Sequence, residues 1–402
     1  MSFFSFSKKN TQKFSLLFDI RGDSVVSAIV KTSSTDKPEI IYSNNIPVVM
    51  REEVDPERYT GFILKGLGAC VDDAYKNGVV KTLKTLDKSA KIEDIHIILS
   101  SPWVLSQSKD ITIKKDKDFR IDQNLLKKVL LDEESDISSS DIFSQKESGK
   151  KNGTEVIEEK IIQSKINGYK IDSIFQKSAN ELNLNLLISA SNTSFIKSVK
   201  TAIGKMFGQN KISFHSFLLC GFSVIRDIYP HKNDFIFVDI SAETTDVCVV
   251  TDDVIHKIYS YSLGKNDIIR KISEKTGNPY DMVVSLLNLQ CNGNCDEKLV
   301  GRNETALTEV ILEWTVELYK IFDTVISRNN IPKDIFFSVD DDIINIIGKK
   351  MQVYKTAHSI LNNDFIINLI NDGAFNNYIN KGKTIVRDAR LKECALFLNK
   401  LK

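Results

Sequence analysis

The sequence lacks several features that would assign a function at once. It contains no run of about eighteen apolar residues, the length that spans a bilayer as a helix. The formal net charge is only +1, so there is no basic stripe of the kind that binds nucleic acid. The five histidines are dispersed and form no metal-ligand set. No arrangement of Ser, His and Asp, or of Cys and His, indicates nucleophilic catalysis.

Cysteine is also scarce. Six cysteines are scattered through the 402 residues, and the chain opens without the pattern of a secretory signal peptide, which predicts reduced thiols in a cytoplasm. Cys291 and Cys295 lie close together, but two cysteines without a second pair are a weak metal signal. Residues 1–10 mix three phenylalanines with lysines. We interpret them as a tail before the first strand; contact with a membrane surface or a partner is the alternative.

The length predicts two lobes, because single hydrophobic cores stop growing at about 250–300 residues. Apolar residues at helical spacing predict helices over Pro56–Asn77, Phe214–Ile228 and Asp388–Leu401. Residues 94–204 alternate between strand and helix patterns and predict an inserted α+β subdomain. Within it, residues 132–154 are polar and predict a flexible surface insertion.

Two segments have the pattern of a β-hairpin with a polar turn. In Phe235–Val250 and in Phe14–Val30, two β-rich apolar runs flank a short turn, and an aspartate (Asp239 or Asp19) ends the first run. The backbone N–H groups of such turns bind phosphate. A strand-end carboxylate can hold Mg²⁺ through water, while the alternative is an ordinary turn carboxylate.

These segments resemble the motifs of one group of proteins. Asp239–Val247 resembles the second phosphate hairpin of the FtsA/PilM group of actin-like ATPase-fold proteins, and Asp19–Val25 resembles the first. Ser262–Asn266 resembles the Pro-Ile-Gly-Gly-Asn segment after the second hairpin, and Ile335–Asp342 lies where the adenosine-binding turn is expected. The group consists of cytoplasmic scaffolds of bacterial cell division and type IV pilus assembly.

The resemblance implies an α/β fold with two actin-like, ribonuclease H-like lobes. Val156–Asp172 resembles a strand of the SHS2-type subdomain that FtsA carries as an insertion. The implied divisions are a first lobe at residues 1–93 and 205–232, an SHS2-type insertion at 94–204, a second lobe at 233–385, and a C-terminal core helix at 386–402.

The resemblance also implies a nucleotide site with ATP and Mg²⁺ as ligands. The implied cofactor-binding residues are Asp19, Gly22, Ser24, Asp239, Glu243, Thr244, Thr245 and Gly264, with Asp19 and Asp239 holding Mg²⁺ through water. Ser24, Thr244 and Thr245 bond phosphate in this interpretation, or simply cap their turns. No residue is assigned a catalytic role.

Several positions depart from the group's motifs. Glycines are replaced by Arg21, by Lys265 and by the segment Ser241–Glu243, and Asp340–Asp342 stand where a glycine cluster is expected. Glycine allows backbone to approach a ligand closely, and added carboxylates repel phosphates. The acidic triplet is best interpreted as an N-cap and first turn. These replacements predict weak or lost ATP binding.

The implied function is an FtsA-like scaffold at the cytoplasmic face of the membrane. It would bind the tail of a tubulin-like filament and self-associate, with indirect membrane contact. The alternatives are a PilM-like pilus-assembly adaptor that binds a membrane protein's cytoplasmic peptide, and an active ATP-binding ATPase. A sugar kinase ranks last, because no catalytic aspartate motif is present.

Overall fold

The computed structural model describes residues 12–52, 55–139, 153–208, 210–291, 297–326, 332–339, 346–348, 365–382 and 384–401. Four predictions concern residues outside these ranges: the aromatic segment at residues 1–10, residues 140–152 of the flexible insertion, Cys295, and Asp340–Asp342. Among the described helices, none is long and apolar enough to cross a membrane.

The first lobe is built on a five-stranded sheet. Its strands are β1 (Lys13–Ile20), β2 (Ser24–Thr32), β3 (Glu39–Pro47), β4 (Ile92–Leu99) and, after the insertion, β9 (Lys211–Ser216). Their order is β3-β2-β1-β4-β9, in which β1–β3 are antiparallel and the pairs β1·β4 and β4·β9 are parallel.

The second lobe repeats this sheet. Its strands are β10 (Phe235–Ile240), β11 (Thr245–Thr251), β12 (Val254–Tyr261), β13 (Asp334–Ser338) and β14 (Ile366–Leu369). The order β12-β11-β10-β13-β14 has the same orientations, with an antiparallel meander followed by two parallel strands. Both predicted hairpins therefore lie at equivalent positions of two equivalent sheets.

A separate four-stranded antiparallel sheet is inserted in the sequence of the first lobe, between β4 and β9. Its strands are β5 (Leu105–Arg120), β6 (Thr154–Ile166), β7 (Tyr169–Lys170) and β8 (Ser178–Asn192), in the order β5-β8-β6-β7. The inserted unit is smaller than the predicted 94–204, because β4 pairs with β1 of the first lobe. Helix α4 (Thr193–Phe207) also packs into the first lobe, through Phe195, Ile196 and Val199.

The helices flank the sheets or lie between them. They are α1 (Pro56–Asp73), its π-helical continuation (Ala74–Leu83), α2 (Lys84–Leu86), α3 (Gln123–Ser139), α4, α5 (Phe217–Ile228), α6 (Lys265–Thr276), α7 (Tyr280–Cys291), α8 (Glu297–Ile326), a 3₁₀ turn (Asp372–Phe375) and α9 (Ala389–Lys400).

Three predicted boundaries differ from the structure. The helix predicted over Phe214–Ile228 is divided, because β9 continues to Ser216, whose hydroxyl then caps α5 by accepting the Leu219 N–H. The helix predicted over Pro56–Asn77 is longer and changes to π-helical geometry at Ala74. The predicted flexible insertion at 132–154 includes the end of α3, which is helical to Ser139.

Helices α5 and α9 lie between the two lobes. The hydrophobic core that contains them also includes Leu17 and Val26 of the first hairpin and Phe235 and Phe237 of the second. Most of α9 is buried, including the charged residue Arg390. The start of α9 is thereby placed next to both hairpins.

Candidate functional site

The turns of the two hairpins are in contact. Gly22 lies in the first turn, and a Cβ atom built on it would be 2.6 Å from the Cβ of Ala242 in the second. The same Cβ would be 2.8 Å from the hydroxyl of Tyr59, which donates a 2.7 Å hydrogen bond to the Gly22 carbonyl. Glycine is required here because the two turns touch, rather than because a phosphate approaches the backbone.

The two predicted Mg²⁺-binding aspartates share an arginine. Asp19 and Asp239 are 0% and 2% exposed, and the Arg390 guanidinium lies between them. Its Nη1 donates to Asp239 Oδ1 at 2.8 Å, and its Nε lies 3.3 Å from Asp19 Oδ2. Its Nη2 donates to the Ser100 hydroxyl, and its guanidinium lies 3.3 Å from the centre of the Phe217 ring. The structure therefore brings the two aspartates together on a protein cation.

A second arginine extends this cluster. Arg21 Nε donates to Asp19 Oδ2 at 2.7 Å, and Arg21 Nη2 donates to Asp388 Oδ2 at 2.8 Å. Asp388 also caps α9 by accepting the Leu391 N–H at 2.8 Å. Burial raises the pKa of Asp239 to about 7 although Arg390 opposes the shift. Arg21 is thus built into the ion-pair network.

These residues do not fit a bound Mg²⁺ ion. Mg²⁺ takes octahedral oxygen coordination and usually retains several waters, whereas one oxygen of each carboxylate already faces Arg390. Asp19 Oδ1 is buried without a hydrogen-bond partner in the described part of the chain. The two remaining oxygens, Asp19 Oδ1 and Asp239 Oδ2, belong to carboxylates that are already paired with guanidinium groups, and they do not form a divalent-cation site.

The N-terminus of α6 is also occupied by the protein. The N–H groups of Lys265 and Asn266 donate to the carbonyls of Ser241 and Ala242, at 2.9 and 2.8 Å. A Cβ on Gly264 would lie 2.4 Å from the Ala242 carbonyl oxygen. Helix N-termini bind anions through such free N–H groups, and here the second hairpin turn takes them.

Glu243 points to α6 and forms ion pairs there. Its carboxylate lies 2.7 Å from Arg270 Nη2 and accepts from Asn266 Nδ2 at 2.8 Å. Lys265 lies 2.5 Å from Asp23 of the first turn. Glu243 thus joins the second hairpin turn to α6, and Lys265 joins α6 to the first lobe.

The predicted phosphate-binding hydroxyls have partners within the protein. Thr245 is fully buried, donates to the Leu263 carbonyl at 2.6 Å and accepts from Trp314 Nε1 at 3.1 Å. Thr244 Oγ1 is 2.8 Å from Ser241 Oγ, and Ser24 Oγ donates to Asp23 Oδ1 at 3.3 Å. The contacts of Thr244 and Ser24 are local to their turns, whereas Thr245 joins its strand to Leu263 and Trp314.

Sequence reasoning missed two contributors to this junction. One is Ser101, whose hydroxyl donates at 2.6 Å to Asp246 of the second lobe; burial raises the pKa of Asp246. The other is Arg390. A signal for it is present, since Arg390 lies four positions before Cys394 and hence on the apolar face of the C-terminal helix. A charged residue on a buried face needs a buried partner.

A cavity of about 260 Å³ opens beside the network. Its charged lining residues are Arg21, Lys265, Arg387 and Arg390 with Asp23 and Asp388. Arg21, Lys265 and Arg390 each contact a carboxylate. Among the described residues the cavity has a positive lining, but its buried cations already have protein counterions.

Comparisons with known proteins identify the fold. No family model matches the sequence, and no curated protein matches it. Among solved structures, a chain of the "PilM-PilN type IV pilus biogenesis complex" is similar, with a TM-score of 0.61 and 11% identity over 96% of this chain and 98% of that chain.

Two further solved structures are less similar. A Bacteroides thetaiotaomicron protein described as having an actin-like ATPase fold and unknown function has a TM-score of 0.41, with 10% identity over 99% of both chains. The ethanolamine utilization protein EutJ from Carboxydothermus hydrogenoformans has a TM-score of 0.42, with 9% identity over 96% of this chain and 89% of that chain. The repeated sheet and the likeness to the PilM–PilN structure together support the two-lobed actin-like fold.

Proposed function

We propose that this protein is a non-hydrolysing adaptor that binds another protein and uses the actin-like fold as a closed scaffold. The observation that carries the proposal is the position of Arg390 between Asp19 and Asp239. Phosphoryl transfer needs a metal ion and an oriented water beside the phosphates. A guanidinium held by both strand-end carboxylates takes the place of that metal.

The inserted sheet strengthens the closed arrangement. The Ser108 hydroxyl of β5 and the Asn185 amide of β8 both donate to the Ile255 carbonyl of the second lobe. Lys170 Nζ lies 2.6 Å from Asp252 Oδ1. The second lobe is therefore tied to the insertion as well as to the first lobe. We infer that partner binding, rather than opening and closing around a nucleotide, is the working state.

A groove of about 480 Å³ between the insertion and the first lobe is the proposed docking surface, called here the β6–β9 groove. Its lining comprises Glu155, Val156, Ile157, Glu158, Glu159, Lys160, Lys200, Ile212, Ser213, Phe214, His215, Leu219, Phe397 and Leu401. Among the described strands β9 pairs only with β4, so its other edge has no strand beside it. β7 pairs with β6 only at Lys165 and Ile166, so the rest of that edge of β6 is also left without a neighbouring strand among the described residues.

Two open strand edges and an apolar floor fit an extended peptide. An added strand gains main-chain hydrogen bonds, and its alternate side chains enter pockets. Phe214, Leu219 and Phe397 are buried beneath the groove, while Glu155 and Lys200 form a 2.8 Å ion pair at its rim. We therefore expect an apolar extended segment as the partner.

The partner we propose is the cytoplasmic segment of a membrane protein. The fold likeness to a chain of a pilus biogenesis complex supports the PilM-like role over the FtsA-like division role. Binding of this kind would hold the protein at the cytoplasmic face of the membrane indirectly, through the partner.

Calorimetric titration with ATP and Mg²⁺ tests the loss of nucleotide binding. We expect no heat of binding up to millimolar ATP, with or without Mg²⁺. Micromolar, Mg²⁺-dependent binding that Asp239→Ala abolishes would overturn the proposal, because it would require Arg390 to leave the aspartates.

Site-specific photo-crosslinking in cells tests the docking surface. A crosslinking amino acid at Lys160, which lines the groove, is compared with one at Lys88, an exposed lysine near the end of α2. We expect adducts with a membrane protein at position 160 and none at position 88. Adducts with a tubulin-like filament protein would select the division role, and equal adducts at both positions would refute the groove as a docking site.

A further inference from the structure

Four ionisable side chains form a row beneath the β6–β9 groove. They are Asp94 and His96 of β4, His215 of β9 and Glu158 of β6. Asp94 Oδ1 is 3.3 Å from His96 Nε2, His96 Nδ1 is 3.1 Å from His215 Nε2, and His215 Nδ1 is 2.8 Å from Glu158 Oε1. The row runs from the first lobe's sheet to the insertion, and its side chains are mostly buried.

The geometry limits how many protons the two rings carry. The contact between His96 and His215 needs one hydrogen, since one nitrogen must donate and the other accept. The outer nitrogen of His215 is hydrogen-bonded to Glu158. The outer nitrogen of His96 lies 3.3 Å from Asp94 Oδ1 without hydrogen-bond geometry, so this carboxylate acts on it by electrostatic attraction. The two carboxylates and the ring-to-ring contact together favour three protons on two rings, that is, one imidazolium between two carboxylates.

A fourth proton breaks this arrangement. It places N–H against N–H across the 3.1 Å contact and sets two positive rings side by side. His96 is enclosed in the sheet, whereas His215 lines the groove and rests against the Phe397 ring of α9 at 5.2 Å. His215 is thus the ring that can move, and it moves into the space that a partner would occupy.

Glu158 transmits such a movement to the insertion. Besides His215, its carboxylate accepts from the Ser216 N–H and hydroxyl at 3.1 and 2.9 Å. The other charged groups facing the groove are Glu155, Glu159 and Lys160 on β6 and Lys200 on α4. Glu155 is paired with Lys200, and burial together with nearby Glu134 raises the pKa of Glu159.

We propose that the His96–His215 pair is a proton-dependent latch on the β6–β9 groove. The latch is closed when the pair shares one proton between its rings, and acidification that adds a further proton to the pair opens it. This inference rests on the proposed function, because the regulated surface is the proposed docking groove. Because opening takes up one proton, partner binding weakens by at most about tenfold per pH unit.

Hydrogen exchange of the free protein tests the latch without a partner. Exchange of β6 and β9 amides is measured at pH 7.5 and 5.5 and corrected for intrinsic rates. We expect protection to fall at least tenfold at pH 5.5, and the fall to be absent in His215→Gln and in His96→Gln. His231→Gln and His256→Gln, which change exposed histidines elsewhere, serve as controls and should retain it. Unchanged protection in the wild type, or a fall that persists in both test variants, would overturn the latch.

Crosslinking at Lys160, repeated at both pH values, separates this inference from the proposed function. An adduct that weakens at pH 5.5 in the wild type but not in His215→Gln supports both. An adduct of equal yield at both pH values overturns the latch and leaves the docking groove intact. Absence of any adduct at either pH overturns the proposed function, and the exchange measurement alone then decides whether the latch exists.

Discussion

Arg390→Met should be the most damaging single substitution at the lobe junction. The change keeps much of the apolar stem but removes the guanidinium that faces Asp19, Asp239 and the Ser100 hydroxyl. Breaking a buried ion pair by removing one partner costs about 3–5 kcal/mol, because the remaining charge is buried without compensation. Loss of the contact with Phe217 adds roughly 0.5–2 kcal/mol.

Urea unfolding followed by tryptophan fluorescence measures this cost. Trp103 packs in the core of the first lobe and Trp314 in that of the second, so Trp→Phe variants allow each lobe to be followed separately. Because Arg390 joins the lobes, we expect both transitions to move to lower urea. The matched control is Arg226→Met, whose guanidinium lies 5.0 Å from the Phe222 ring.

Two results would refute the reasoning. One is a loss of unfolding free energy below about 1 kcal/mol, equal to that of Arg226→Met. Such a loss is typical of solvent-exposed ion pairs, and the buried cluster would then contribute no more than they do. The other is strict additivity with Asp239→Asn. Partners in one buried network are coupled, so the double variant should lose less than the sum of the single losses.

Two further predictions concern neighbouring residues. Burial raises the pKa of Glu393 to about 8, so the native state holds a proton that the unfolded chain releases above about pH 4.3. The free energy of unfolding should therefore fall as the pH rises from about 4.5 to 8. Glu393→Gln should reduce the steepness of this fall by up to about 1.4 kcal/mol per pH unit. An unchanged pH dependence of the unfolding free energy in urea titrations of the variant would contradict this. Gly22→Ala should lower the free energy of unfolding by roughly 1–3 kcal/mol, because the added Cβ meets Ala242 and Tyr59. The control Gly61→Ala, which has open space on α1, should raise it by up to about 1 kcal/mol. Equal effects of the two changes would show that the hairpin turns can separate.

The repeated hairpins were predictable because alternation, turn residues and strand-end aspartates are local signals. Strand β9 was not, since apolar residues lie on both sides of its end and only the Ser216 cap marks where strand becomes helix. Periodicity alone does not distinguish a short buried strand from a buried helix segment. Assignment of β4 to the first sheet also depends on pairing with β1, which is not encoded locally.

The sequence places Asp19 and Asp239 at equivalent hairpin positions but does not indicate their shared partner. Asp19 and Asp239 do meet, as their equivalent hairpin positions imply, but their shared partner Arg390 comes from a helix far along the chain. A buried arginine in a C-terminal amphipathic helix has many conceivable partners. Only the packing of α9 between the sheets decides which carboxylates it faces.

The distance of Arg390 along the chain has a consequence for synthesis. It lies 371 residues after Asp19 and 151 after Asp239, so the ribosome releases both hairpins well before the residue that neutralises them. Contacts of such long sequence separation form late. We expect each sheet to assemble early, and the two halves to stay apart, and vulnerable to proteases, until α9 has emerged and docked.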